Sequence, residues 1–341
     1  MNEIKRHMSK HLKLLAKIAF VLGLLYFLGK KGFISIEQTQ RALSQWTIIV
    51  PAFFTLLFAA VLGVFRWQLL LKAHDIDLPL TRTFQLTFVG NFFNIALPGA
   101  VSGDFVKAFY VGKETPGMKT KAFGSILFDR VAGLSALVVL SAGAFVIEYA
   151  SIKDSSFLAA VQVMITIAAA VVVAFYAYLF LVREKHDPLL ILFRRLATRF
   201  PKLSIFAQVY EALRHYHNHR VTVMKVLGIS LVIHMLVGWA CLQFALALGV
   251  TSIPLIALYV IVPLGLLVTS VPIMPAGVGT GHAAFLYLFS LLGSQRGADI
   301  FSLYALSQIS IGAIGGFIYL RFRTQEAAPI LTATPESEMA Q

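Results

Sequence analysis

Asp129 and Arg130 stand side by side about eight residues into an apolar run that opens at Ala122. At 1.5 Å per residue that is roughly 12 Å deep. Ionised groups at such depth are costly, so each is a candidate functional residue and each needs a partner. Adjacent helix residues point apart and do not pair with one another. Asp104 is a partner for Arg130, and Arg66 or Lys107 for Asp129. A purely structural ion-pair network would use the same residues. Arg66, five residues from the end of its own apolar run, could instead snorkel to the headgroups.

Two further clusters sit where apolar runs are interrupted by proline and glycine. The first joins Asn91, Asn94, Pro98, Gly103, Asp104 and Lys107, and the second joins Pro275, Gly277, Gly279, Gly281 and His282. A glycine-rich break exposes backbone N–H groups, and a half-helix that follows turns its positive end toward an anion. Lys107 adds a point charge suited to phosphate. The same glycines could serve only to let helices pack closely. His282 could sense protons or touch a headgroup, or could simply bond a carbonyl. Gln308 reads as an interhelical amide rather than a site.

Other chemistry lacks its residues. His215 and His219 share a helix face, but no cysteine completes a metal set and Glu211 is the nearby carboxylate. Divalent-metal phosphoryl transfer needs clustered carboxylates, and the spans and broken segments carry only Asp104 and Asp129. There is no P-loop, nucleophile elbow or HExxH. Cys241 is the single cysteine, which excludes an intrachain disulfide. The chain is expected not to be an enzyme, and to hold neither cofactor nor metal.

The elements that must position these residues are membrane helices. Apolar types make up 58% of the 341 residues, charged types 13%, and mean hydropathy is +0.79. A soluble domain is nearer half apolar and a quarter charged. The predicted fold is all-α and polytopic. Six segments are long enough to cross: Leu14–Phe33, Trp46–Leu71, Ala122–Ile147, Phe157–Val182, Val221–Leu248 and Phe301–Arg321. Two broken stretches, Phe84–Tyr110 and Leu255–Gly293, cannot each be one straight helix. The net charge of +13 is spread over loops, as in a membrane protein, and not gathered on one face as in a nucleic-acid binder. With both termini in the cytoplasm, 22 Lys and Arg fall on that side and 5 on the other. The first broken stretch then re-enters from the cytoplasm, while the second either re-enters from outside or crosses twice.

The two broken stretches resemble each other. Leu97–Ser102 aligns with Met274–Gly279 at an offset of 177, and Trp46 with Val221 and Ala122 with Phe301 repeat at 175 and 179. The expected organisation is one transmembrane domain over residues 1–325, with inverted halves at about 14–147 and 157–321 and a disordered tail at 326–341. Paired interruptions in two such halves point to a transport site near the midplane. Residues 188–220 form an insertion whose apolar positions alternate with Arg194, Arg195, Arg199 and Lys202, as in a helix pair lying on an anionic leaflet. That pair could anchor the surface or gate an entrance.

These residues give the chain a family resemblance. Leu97-Pro98, Gly103-Asp104 and Lys107, then Asp129-Arg130 opening a span, then Pro275, Gly277, Val278 and Gly279 resemble the flippase-like family that includes the membrane portion of lysylphosphatidylglycerol synthases. The resemblance covers residues ~10–325, essentially the whole hydrophobic region. It implies movement of charged lipids between leaflets, joined in some members to a soluble aminoacyl-transferring domain. The roughly 18 polar residues after Arg323 are too few for that domain, so aminoacylation by this chain is not expected. Many relatives carry glutamate where His282 stands and arginine where Lys107 stands, and relatives also associate with polyprenyl-linked sugars and hopanoid lipids. The expected function is a lipid transporter of the cell inner membrane for an anionic or zwitterionic headgroup. The alternatives are an enzyme or accessory factor for lipid-linked glycans or polyprenyl phosphate, and a scaffold for a lipid-biosynthesis enzyme. No nucleic-acid partner is expected.

Overall fold

In a computed structural model the described residues are 30, 36–96, 102–148, 156–183, 186–200, 204–270, 277 and 279–331. They form twelve α-helices and one short 3-10 turn, with no strand among them. In chain order the helices are α1 (Ile36–Ser44), α2 (Trp46–Ala73), α3 (Leu80–Ala96), α4 (Ser102–Glu114), α5 (Lys119–Glu148) and α6 (Ser156–Leu181). They continue with α7 (Pro188–Arg199), α8 (Ser204–Arg214), α9 (Arg220–Ala247), α10 (Leu255–Ser270), α11 (Thr280–Ser290) and α12 (Gly297–Leu331).

Five helices are long and apolar enough to cross a membrane: Trp46–Ala73, Lys119–Ile147, Val161–Leu181, Arg220–Ala247 and Gly297–Arg321. They coincide with five of the six crossings expected from the sequence. The sixth, Leu14–Phe33, lies outside the described residues except for Lys30, and Pro98 and Pro275 lie outside them too. The five described spans are helical because hydrocarbon offers no partner for a free N–H or C=O. Large side chains such as Phe54, Phe58, Met164 and Ile167 accordingly face outward and stay exposed, as suits lipid contact.

Both interrupted stretches resolve into helix pairs. The first becomes α3 and α4, of 17 and 13 residues, or about 26 and 20 Å. The second becomes α10 and α11, of 16 and 11 residues, or about 24 and 17 Å. Each is shorter than the ~30 Å hydrocarbon core.

Helix α2 packs along α9, α12 along α3, and α10 along α5. Small residues permit these approaches. A Cβ on Gly315 of α12 would collide with the Phe88 carbonyl of α3, and one on Gly103 of α4 with the Gly90 carbonyl of α3. The largest apolar core runs through these contacts, with Phe88, Phe244, Phe285 and Phe301 fully buried.

Helices α7 and α8 pack on each other, and α8 packs against α5. Asp187 caps α7 by accepting the N–H groups of Leu189 and Leu190, both at 3.0 Å, with Pro188 at the first helical position. The buried Asp187 carboxylate also meets Arg214 Nε at 2.8 Å and accepts the hydroxyls of Tyr178 and Tyr210. One face of the pair leaves Leu189, Leu192, Ile205 and Phe206 exposed.

Candidate functional site

A cavity of about 450 Å³ lies among α2, α3, α4, α5, α9, α10 and α12, and it touches both interrupted stretches. Arg66, Asn91, Asn94, Asp104, Lys107, Asp129 and Arg130 line it from the first half of the chain, and Gly277 from the second interrupted stretch. Thus residues from positions 66 to 277 converge on one space. Its volume is in the ordinary range for ligand pockets, ~300–1,000 Å³.

The charged residues meet in a defined order. Arg66 donates Nε to Asp129 Oδ1 at 2.7 Å and Nη2 to Asp129 Oδ2 at 2.9 Å, and its Nη1 reaches Ser230 Oγ at 3.0 Å. This two-pronged geometry is what a guanidinium offers and an ammonium cannot. Arg130 pairs with Asp104. The neighbours Asp129 and Arg130 therefore find separate partners, on α2 and on α4, as their divergence along α5 requires.

Lys107 is different. It is 6% exposed, and its Nζ sits 4.0 Å from the centre of the Trp67 ring, an attractive cation–π contact. Among the described residues no carboxylate comes within ion-pair distance of it. Trp67 is itself fully buried and fixed by donating Nε1–H to Ser125 Oγ at 3.2 Å. Three cations thus face two carboxylates across the cavity, leaving one net positive charge.

The α3–α4 pair owes its shape to Asn94. Its Oδ1 accepts the Gly103 N–H at 2.8 Å, while Ser102 Oγ donates to the Phe93 carbonyl at 2.9 Å. The opening turn of α4 is thus satisfied from α3 and complemented by the Asp104 carboxylate. One N–H of the helix end expected to receive an anion, that of Gly103, is taken by Asn94. Gly103 does not line the cavity; its missing Cβ lets α3 and α4 touch.

The second interruption contributes less than its sequence suggests. Gly277 and Gly279 take φ of +67° and +92°, where any side chain would be strained. Gly279 precedes α11, and its N–H points to His282 Nδ1 at 3.3 Å. His282 Nε2 lies 3.1 Å from Ser302 Oγ, and the ring rests edge-on against Phe301. At 1% exposure, with both nitrogens engaged, His282 stands away from the cavity lining. Gln308 lines it instead, with Thr269, Ser270 and Tyr304.

His234 of α9 also lines the cavity, and the sequence reading passed over it. An ionisable residue near the middle of the span Val221–Leu248 is the signal that would have found it. Among the described residues no group of three His, Cys, Asp or Glu is placed to hold a metal.

The family model described as the lysylphosphatidylglycerol synthase TM region matches residues 14–309. A UPF0104 membrane protein of Methanothermobacter thermautotrophicus is 25% identical over 324 residues, covering 88% of this chain and 87% of that protein. A UPF0104 membrane protein of Pyrococcus horikoshii is 28% identical over 142 residues, covering 40% of this chain and 41% of that protein. No solved structure matches the chain.

Proposed function

This chain belongs to the family of the lysylphosphatidylglycerol synthase TM region, and from that premise we propose that it moves a lipid with an anionic headgroup between the leaflets of the cell inner membrane. The observation that carries the reading is the cavity shared by both interrupted stretches, with Lys107 facing it and not paired to any described carboxylate. Desolvating a phosphate costs several kcal/mol, so a headgroup site needs charge-assisted hydrogen bonds and a surplus of positive charge. Lys107 and Arg130 supply the charge, and Asn91 supplies a neutral amide. Zwitterionic headgroups bind more weakly because their ammonium group meets the same positive field.

The translocating motion follows from an inverted repeat of two units. In this reading six crossings are joined by two interrupted helix pairs, α3–α4 re-entering from the cytoplasm and α10–α11 either re-entering from outside or crossing twice, and both termini are cytoplasmic. The packing supports this: α5 lies on α10 while α12, its counterpart in the second unit, lies on α3, the counterpart of α10. Exchanging the units maps one contact onto the other. Rocking of the units about the cavity presents the headgroup first to one face and then to the other, while the acyl chains stay in hydrocarbon. No bond in the lipid is made or broken, so the reading assigns no enzymatic step. Transbilayer movement of a labelled phosphatidylglycerol in liposomes holding the purified chain tests it.

A further inference from the structure

His234 occupies a distinctive place in the cavity wall. Its Nε2 lies 3.0 Å from the Gly133 carbonyl, so the proton of the neutral ring sits on Nε2. The other nitrogen, Nδ1, is buried and has no hydrogen-bond partner among the described residues. The arrangement is continuous with the ion-pair layer. Gly133 is one helical turn beyond Asp129 on α5, and His234 one turn beyond Ser230 on α9, so Arg66 ties together the turn below. A Cβ added to Gly133 would lie 3.4 Å from Arg66 Nη1.

A buried imidazole nitrogen with no partner loses free energy by being there. A hydrophobic residue would fill the same space without that loss. What the imidazole alone offers is a place for a second proton. The groups around it set when that proton is welcome. Arg66 faces the cavity from α2, Asp129 and Arg130 from α5, Asp104 and Lys107 from α4, and Tyr304 from α12. On α10 the nearest titratable group, Tyr259, donates its hydroxyl to the Met235 carbonyl beside His234. The empty cavity already has one positive charge in excess, and an imidazolium would make two. An anion in the cavity removes the repulsion.

We propose that His234 is a proton-binding residue of this site, and that its protonation and occupancy by an anionic headgroup each favour the other. The inference rests on the cavity being the headgroup site. Thermodynamic linkage makes the effect reciprocal: the anion binds more tightly at lower pH, and its binding takes up a proton. Unit charges separated by about 10 Å at an effective dielectric near 20 couple by roughly tenfold in affinity. A lipid moved under this linkage would be carried with a proton, which makes a proton gradient a source of direction.

The full chain in phosphatidylcholine nanodiscs, titrated calorimetrically with dihexanoyl phosphatidylglycerol in buffers of different ionisation enthalpy, tests the proposal. The expected result is binding that tightens by up to about tenfold as pH falls from 8 to 4.5, with net proton uptake. His234→Gln keeps an N–H donor for the Gly133 carbonyl but cannot take the proton. Whatever affinity it retains is expected not to tighten as pH falls and to bring no proton uptake. Parent binding that is flat with pH and free of proton uptake overturns the proposal, and this outcome needs no variant. A His234→Gln chain that keeps the pH dependence overturns it too. Absence of binding at every pH contradicts the headgroup site itself, and the proton inference falls with it.

Discussion

Arg66 holds Asp129 by two parallel hydrogen bonds, at 2.7 and 2.9 Å, and spends a third donor on Ser230. Both side chains are 13% exposed. The pair links α2, α5 and α9, three of the long spans, at the wall of the cavity. A buried pair of this kind is weak evidence of net stability, but removing one member strands a charge.

Arg66→Gln should therefore destabilise the protein by about 3–5 kcal/mol. The double variant Arg66→Gln with Asp129→Asn should recover most of that loss, because no uncompensated charge remains. Equilibrium unfolding in detergent micelles measures both. Additive losses in the double variant would show that the two residues do not depend on each other.

Gly103→Ala forces a Cβ onto the Gly90 carbonyl, so α3 and α4 must part. Overpacking of a well-packed contact costs ~1–3 kcal/mol, and here backbone rather than a side chain must yield. Gly63→Ala is the control. It lines the cavity, which Gly103 does not, yet nothing lies within 4 Å of the added carbon. Gly63→Ala should leave the melting temperature unchanged or slightly raised, while Gly103→Ala lowers it by several degrees.

Asp187 binds α7 to α8 and faces Arg214, whose side chain is 5% exposed. Asp187→Ala removes a helix cap worth ~1 kcal/mol and leaves a buried guanidinium without its carboxylate. Limited proteolysis should then cut between residues 183 and 220, while far-ultraviolet circular dichroism shows the long spans intact. Unchanged protection would mean that the hairpin is held mainly by its apolar contacts with α5.

His74, just beyond the end of α2, provides a pH dependence. It is fully buried, stacks on His215 at 4.8 Å, and neither ring nitrogen has a partner among the described residues. Burial lowers its pKa from 6.5 to about 4, helped by the nearby charges of His215, Lys121 and His219 and opposed by Asp75. The unfolded chain binds this proton first as pH falls. Stability from this group is therefore complete above about pH 6.5 and declines as pH drops from there to about 4. The full difference is on the order of 3 kcal/mol. His74→Phe should flatten the melting temperature over that interval, and an unchanged acid decline would assign it to other groups.

The long spans and the placement of charge were legible in the sequence because both follow from one constraint, the cost of polar groups in hydrocarbon. The divergence of Asp129 and Arg130 is set by helix geometry, so partners on two other elements could be named in advance, and the structure forms both pairs. The role of Asn94 was not legible. Its bond to the Gly103 N–H depends on how the chain returns after residue 96, and hydropathy carries no record of that register. Gly90, the other half of the α3–α4 contact, lies outside any motif. His282 looked like a site residue because it follows a glycine-rich break. It is buried instead, because Ser302 and the Gly279 N–H satisfy it and Phe301 covers it. His234 was missed through its isolation, since its neighbours in sequence are all apolar and its company is assembled only by α2 and α5.

The central claim is that the cavity carries an anionic headgroup across the bilayer on Lys107. Liposomes containing the purified chain and a trace of fluorescent phosphatidylglycerol, exposed to external dithionite, test it most directly. The account expects nearly all of the label to be bleached, phosphatidylcholine label to be bleached more slowly, and Lys107→Gln to slow phosphatidylglycerol at least tenfold while its melting temperature holds. Bleaching that stops at the outer-leaflet half, as in protein-free liposomes, would contradict the claim, and equal rates for the parent and Lys107→Gln would contradict the role of this cation.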